Sequence, residues 1–263
     1  MNLQLKGKKA FISGSTQGIG LAIAKKLLDE GCDMVINGRN PVRIGKVVHT
    51  LKVDYPNSDI IGLSADFSQP EQVENMIAQI GPIDILINNV GVFELKKFHD
   101  ITDADWMNIF NINVMSSVRL TQKLLPHMME QNWGRIIFIS SESGVNIPSD
   151  MIHYGMSKAA MNAVANGVSK LTKGKNVTVN TLLGGPTYSD GVAKTIEQMA
   201  ANNNLNVSDI KSTIIQQTNP DSLLQRFIEP DEIASMAAFL SSPLSQAVNG
   251  SSVRVDGGTL KVI

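Results

Sequence analysis

Short apolar runs alternate with longer amphipathic segments along most of the chain, and this alternation constrains the fold more than any other feature. KKAFIS (8–13) reads as a strand, and GIGLAIAKKLLDEG (18–31) as a helix closed by Gly31. DMVING (33–38) is the next strand, followed by a helix over 41–54 that begins with Pro41. DIIGLSAD (59–66), IDILINN (83–89), GRIIFISS (134–141), NVTVNTLL (176–183) and SSVRVDGG (251–258) supply five more strands. Helical spacing fills the intervals at about 70–80, 102–113, 114–132, 154–171 and 230–242. IDILINN is apolar almost throughout, as a strand covered on both faces must be. Strict alternation requires parallel strands joined by right-handed crossovers. The expected α/β fold is one doubly wound, seven-stranded parallel sheet with helices on both faces, a single domain over 1–263.

One interval breaks the rhythm. Between the sixth strand and the next helix lie roughly 40 polar residues, 187–227, where a few would suffice. Sheets of this kind bind ligands at the carboxyl ends of their strands, so the insertion is expected to be a substrate lid. Its apolar residues, among them Val192, Ile196, Ile214 and Ile215, imply a pocket with some apolar lining.

Composition removes several functions. Lys and Arg number 23 against 24 Asp and Glu, with no basic cluster, so a nucleic-acid partner is not expected. No apolar run reaches the roughly 20 residues of a membrane span, and no signal peptide is read at the N-terminus. A lone cysteine, Cys32, gives no internal disulfide, and a cytoplasmic location is expected. His49, His99, His127 and His153 show no zinc-ligand spacing, so no metal site is indicated.

The first strand and helix are joined by SGSTQGIG, Ser13 to Gly20. Gly14 suits a tight turn, Gly18 lets backbone approach a pyrophosphate, and Gly20 lets helix and strand pack closely. The helix N-terminus offers free N–H groups to the phosphates. No Gly-Lys-Ser/Thr follows, so a P-loop ATPase is disfavoured. Gly14, Ser15, Gln17, Gly18, Ile19 and Gly20 are the expected dinucleotide contacts of this Rossmann-type unit. A free ribose 2′-OH calls for an acid at the end of the second strand; here the residues are Asn37-Gly38-Arg39-Asn40. Arg39 matches a 2′-phosphate instead, so NADP(H) is favoured over NAD(H).

The stretch HYGMSK (153–158) puts Tyr154 and Lys158 one helical turn apart. Taken with the glycine loop, NNVG (88–91), ISS closing the fifth strand and VDGG (255–258), in that order, the chain resembles the short-chain dehydrogenase/reductase family over nearly its whole length. Within it, the chain is similar to bacterial 3-oxoacyl-carrier-protein reductase-like oxidoreductases. The resemblance implies a catalytic tetrad at Tyr154, Lys158, Asn113 and Ser141, the serine thirteen positions before the tyrosine. It implies cofactor contacts at Asp66, Asn89, Gly91, Gly185, Thr187 and Ser189, and again at Tyr154 and Lys158. It also implies a homotetramer or dimer. Three departures stand out: Ser13-Gly14 for Thr-Gly, Val90 for alanine, and Gly184-Gly185 before Pro186 for Pro-Gly.

The resulting expectation is an oxidoreductase interconverting a small-molecule carbonyl and a secondary alcohol. Tyr154 acts as general acid/base, its pKa lowered by Lys158 and by the oxidised nicotinamide. Ser141 donates to the carbonyl oxygen. By family analogy, Asn113 kinks its helix and holds a water. An NAD-dependent alcohol or sugar dehydrogenase, and a non-catalytic dinucleotide sensor, remain open on the same fold.

Overall fold

The computed structural model of the chain describes residues 2–261. Seven strands, β1 (Lys9–Ile12), β2 (Asp33–Gly38), β3 (Ile60–Ser64), β4 (Ile85–Asn88), β5 (Gly134–Ser141), β6 (Val177–Gly184) and β7 (Ser252–Val255), form one sheet. Its order is β3-β2-β1-β4-β5-β6-β7, with every neighbouring pair parallel. The order reverses between β1 and β4, where the carboxyl ends diverge and leave a crevice.

Side chains alternate between two cores. Ala10 and Ile12 of β1, with Ile137 and Ile139 of β5, enter the core under α1 (Gly18–Asp29), α2 (Pro41–Asp54) and α9 (Pro230–Ser241). Phe11, Ile136 and Phe138 enter the other, under α3 (Pro70–Ile80), α5 (Ser116–Glu130) and α6 (Ile152–Ser169). Every residue of β5 and β6 is buried, which requires cover on both faces.

The structure differs from the sequence reading between 102 and 132. The two expected helices are continuous: α4 (Asp103–Phe110) passes through a π-helical turn, Asn111–Met115, directly into α5. Such a widened turn is common at functional sites. The insertion after β6 folds as α7 (Asp190–Asn203) and α8 (Val207–Thr218). Its base is zipped where Thr187 bridges Ile228 and the Tyr188 N–H donates to the Ile228 carbonyl at 2.8 Å.

Candidate active site

The crevice at the strand ends opens into a cleft of about 1110 Å3, with the glycine loop at one end and the β5–α6 region at the other. Tyr154 and Lys158 stand on the first two turns of α6, beside the end of β5. The Lys158 ammonium is buried and donates to the Ile139 carbonyl at 2.9 Å, 5.7 Å from the centre of the Tyr154 ring. Asn113 sits inside the π turn. Its amide accepts from the Val92 N–H at 2.8 Å and donates to the Val92 carbonyl and the Ser157 hydroxyl, both at 2.9 Å. It thus ties the loop after β4 to α6. A Cβ on Gly91 would lie 3.3 Å from the Lys158 ammonium, so a bare backbone there leaves the lysine its place.

Ser141 ends β5 beside the half-buried Tyr154 phenol. The Ser141 hydroxyl donates to the Glu142 carboxylate at 2.5 Å and accepts from the Ser143 N–H at 3.1 Å. Phe93 meets the Tyr154 ring edge-on at 6.2 Å. Ser141, Tyr154 and Lys158 therefore line one end of one cleft, and Asn113 is buried behind them, hydrogen-bonded to the Ser157 hydroxyl of α6.

The electrostatics depart from the sequence expectation. Burial pushes the Tyr154 phenol above its ordinary range; the Ser141 hydrogen bond opposes this and the Glu142 charge adds to it. Burial also pushes the Lys158 ammonium down to about 8, against the pull of Glu142. The anticipated lowering of the Tyr154 pKa is absent from the protein alone, because desolvation and the Glu142 carboxylate both raise it.

At the other end, Gly14 and Gly18 hold positive φ of 66° and 56°. A Cβ on Gly20 would meet the Gly14 carbonyl oxygen at 2.4 Å, so the start of α1 packs directly on the loop after β1. Asn89 donates to the carbonyls of Ser13 and Gly14 at 2.9 and 3.0 Å, clamping the loop to β4. Gln17, Ile19 and Arg39 line the cleft. Asp66 lines it too, its carboxyl held below the usual range first by the Ser68 N–H and hydroxyl, and also by Arg39. Gly185 passes under the Asp256 backbone, where a Cβ would lie 2.8 Å from the carbonyl oxygen. Thr187 and Ser189 line the cleft and carry the chain from there into α7.

Ser15 departs from its expected role. Its hydroxyl donates to the Ile12 carbonyl and accepts from the Asn37 N–H, both at 2.9 Å, and it is fully buried beneath the loop. It braces the turn, while the adjacent Thr16 lines the cleft.

The chain as a whole is similar to known proteins. The family model described as short chain dehydrogenase matches residues 8–200. The chain belongs to the short-chain dehydrogenase/reductase family. It is 37% identical over 263 residues to the uncharacterized oxidoreductase YvaG of Bacillus subtilis (strain 168), covering 100% of each chain. It is 30% identical over 261 residues to the 3-oxoacyl-(acyl-carrier-protein) reductase FabG of Aquifex aeolicus (strain VF5), covering 98% of this chain and 99% of that one. The crystal structure of L-sorbose reductase from Gluconobacter frateurii complexed with NADPH and L-sorbose superposes with a TM-score of 0.94, at 28% identity and full coverage of both chains. As a member of this family, the protein is an NAD(P)-dependent oxidoreductase with a Rossmann-type sheet.

Three cleft residues escaped the sequence reading. Arg43, in the first turn of α2, donates to the Gln17 side-chain carbonyl and so brings a second guanidinium beside Arg39. The Gly18 N–H donates to the carboxylate of Asp190, at the start of α7. A carboxylate of the insertion therefore occupies an amide at the helix N-terminus, the kind of donor that suits a phosphate. Glu142 adjoins Ser141, and its one sequence signal is a charge directly after a strand of unbroken burial.

Proposed function

We propose that the protein is an NADP(H)-dependent reductase that converts a ketone to a secondary alcohol, with Tyr154 as proton donor. The observation that carries this reading is the convergence of Tyr154, Ser141 and Lys158, with Asn113 buried behind them, at one end of a cleft whose other end is a glycine loop beside Arg39 and Arg43. The cofactor's fit rests on the same features. Gly20 leaves no room for a Cβ, the α1 N-terminus faces the cleft, and two guanidiniums stand at the end of β2 where an NAD-binding site would carry an acid.

Bound, the nicotinamide supplies the hydride. The protein's own groups handle the proton. Burial and Glu142 keep the Tyr154 phenol protonated through neutral pH, which suits donation to a forming alkoxide. Ser141 stabilises that oxygen once its hydroxyl turns away from Glu142. Lys158, anchored on the Ile139 carbonyl, holds a positive charge beneath the phenol. Asn113 keeps the loop at Val92 and helix α6 in register.

Tyr154→Phe is expected to lower kcat for NADPH-dependent ketone reduction by about 100- to 10,000-fold while the protein still binds NADPH. Retention of near wild-type turnover would overturn the reading. Arg39→Ala is expected to weaken NADPH binding by about 10- to 150-fold, the loss of a charge-assisted contact, and to leave NADH binding almost unchanged. Equal loss for both dinucleotides would sink the NADP assignment.

Small exposed or half-buried residues, Ala159, Ala163 and Gly167, recur along the outer side of α6, whereas Ala160 and Ala165 pack on the sheet. We place a contact between copies of the chain on that face, giving the dimer or tetramer that light scattering would measure. No helix among the described residues is long and apolar enough to cross a membrane, and Cys32 is free and buried, which fits a reducing cytoplasm.

A further inference from the structure

The proton transfer proposed above uses a hydroxyl, a phenol and an ammonium, and gives no part to a carboxylate at the same point. Yet Glu142 lines the catalytic end of the cleft, with Oε2 2.5 Å from the Ser141 hydroxyl and Oε1 3.4 Å from the Ser143 hydroxyl. None of the ion pairs among the described residues includes it. Burial raises its carboxyl above the usual range, so its charge is poorly solvated and gains from each donor that approaches.

This arrangement competes with catalysis. Ser141 has one proton, and directed at Glu142 it is not available to a carbonyl oxygen. A substrate that brings its own donor to Glu142 removes the conflict. The hydroxyl and carbonyl oxygens of an α-hydroxy ketone lie within hydrogen-bond distance of one another, as do the Glu142 and Ser141 oxygens. The two pairs therefore match: the substrate hydroxyl donates to Glu142, and the released Ser141 proton meets the carbonyl oxygen. Charge points the same way. The cations lining the cleft are Arg39 and Arg43 at the glycine-loop end and Lys158 under the tetrad. Around the substrate end stand Glu142 and Asp150 on the loop before α6, so a substrate carboxylate or phosphate there meets like charge.

We propose that Glu142 is a specificity-determining residue that selects uncharged ketones bearing a hydroxyl on the carbon next to the carbonyl and rejects anionic ketones. The proposal rests on the reductase reading above. Hydride adds to the carbonyl carbon and a proton to its oxygen as the C=O π bond breaks, so the product is a vicinal diol and the dinucleotide is oxidised.

Three probes on one carbon skeleton test it: 1-hydroxy-2-butanone, 2-butanone and 2-oxobutanoate, each with NADPH and the full-length protein. The wild type is expected to favour the hydroxy ketone over 2-butanone by about 10-fold or more in kcat/KM, the worth of a hydrogen bond to a charged group, and to leave 2-oxobutanoate nearly untouched. Glu142→Gln and Glu142→Ala are expected to lower that preference about 10-fold, to act on 2-butanone far less, and to admit 2-oxobutanoate. Glu142→Asp is expected to restore part of the preference, and NADPH fluorescence titration shows that each variant still folds and binds cofactor. A wild type that treats the three probes alike, or a preference unmoved in Glu142→Gln, overturns the proposal. NADPH binding without turnover of these probes or of a wide panel of neutral ketones overturns the reductase reading itself, and this proposal with it.

Discussion

The two walls of the cleft are built to different standards. On the sheet side, the tetrad side chains come from β5, α6 and the π turn, and Lys158, Asn113 and Ser141 are each buried and hydrogen-bonded to another element or turn. On the side of the insertion after β6, α7 and α8 close on a small core of Ile196, Ile215 and Phe227, while Met199 and Leu205 stay exposed. One wall shares the cooperativity of the whole fold; the other is held by few buried contacts and a short bridge at its base. Segments of the second kind open at little free-energy cost, which suits a cover over a ligand.

That contrast can be broken in stages. Beyond the loss expected for Tyr154→Phe, the largest difference should come from truncating one aromatic in each wall. Phe138→Ala, beneath the sheet, is expected to cost about 3–5 kcal/mol of global stability in urea titration. Phe227→Ala, in the lid core, is expected to leave the urea midpoint nearly unchanged, to raise the substrate KM and to speed proteolysis between 187 and 227. Equal global losses would show that the lid is no separate unit.

The sheet wall should also carry a pH signature. The folded Lys158 pKa of about 8 lies below its ordinary 10.5, so between those values the unfolded chain holds a proton that the folded chain has released. Stability from this group therefore rises with pH through that window and is reduced below it. Lys158→Met is expected to flatten the rise in the urea midpoint from neutral pH to about pH 10. A rise of the same size in the variant would assign it elsewhere.

The smallest expected effect belongs to the hinge between the walls. Asp190 places a carboxylate on the Gly18 N–H, where an incoming pyrophosphate needs the same donor. Asp190→Asn removes the like charge and should tighten NADPH binding roughly fivefold, about 1 kcal/mol, in fluorescence titration. Weaker binding in the variant would mean that Asp190 aids the cofactor and does not compete with it.

Much of this architecture was legible in the chain. Helices over 41–54 and 70–80 and the strands over 33–38 and 134–141 lie where the periodicity put them, because each has a local start signal or an unbroken apolar run. Fusion of two helices through Asn111–Met115 was not legible, since a π turn is chosen by what Asn113 grips and not by helix propensity. Ser15 misled for a related reason: its neighbours in sequence line the cleft, but only packing shows that its own hydroxyl points beneath the loop.

By itself, the sequence determined the parallel sheet, the glycine turn after β1 and the one-turn spacing of Tyr154 and Lys158, because spacing along a helix or strand is a short-range property. The tertiary structure alone decided the desolvation of Tyr154 and Lys158, the pairing of Arg43 with Gln17, the seating of Asp190 on Gly18 and the intrusion of Glu142. Those depend on burial and on distances through space, and both arise only when segments remote in the chain are packed together.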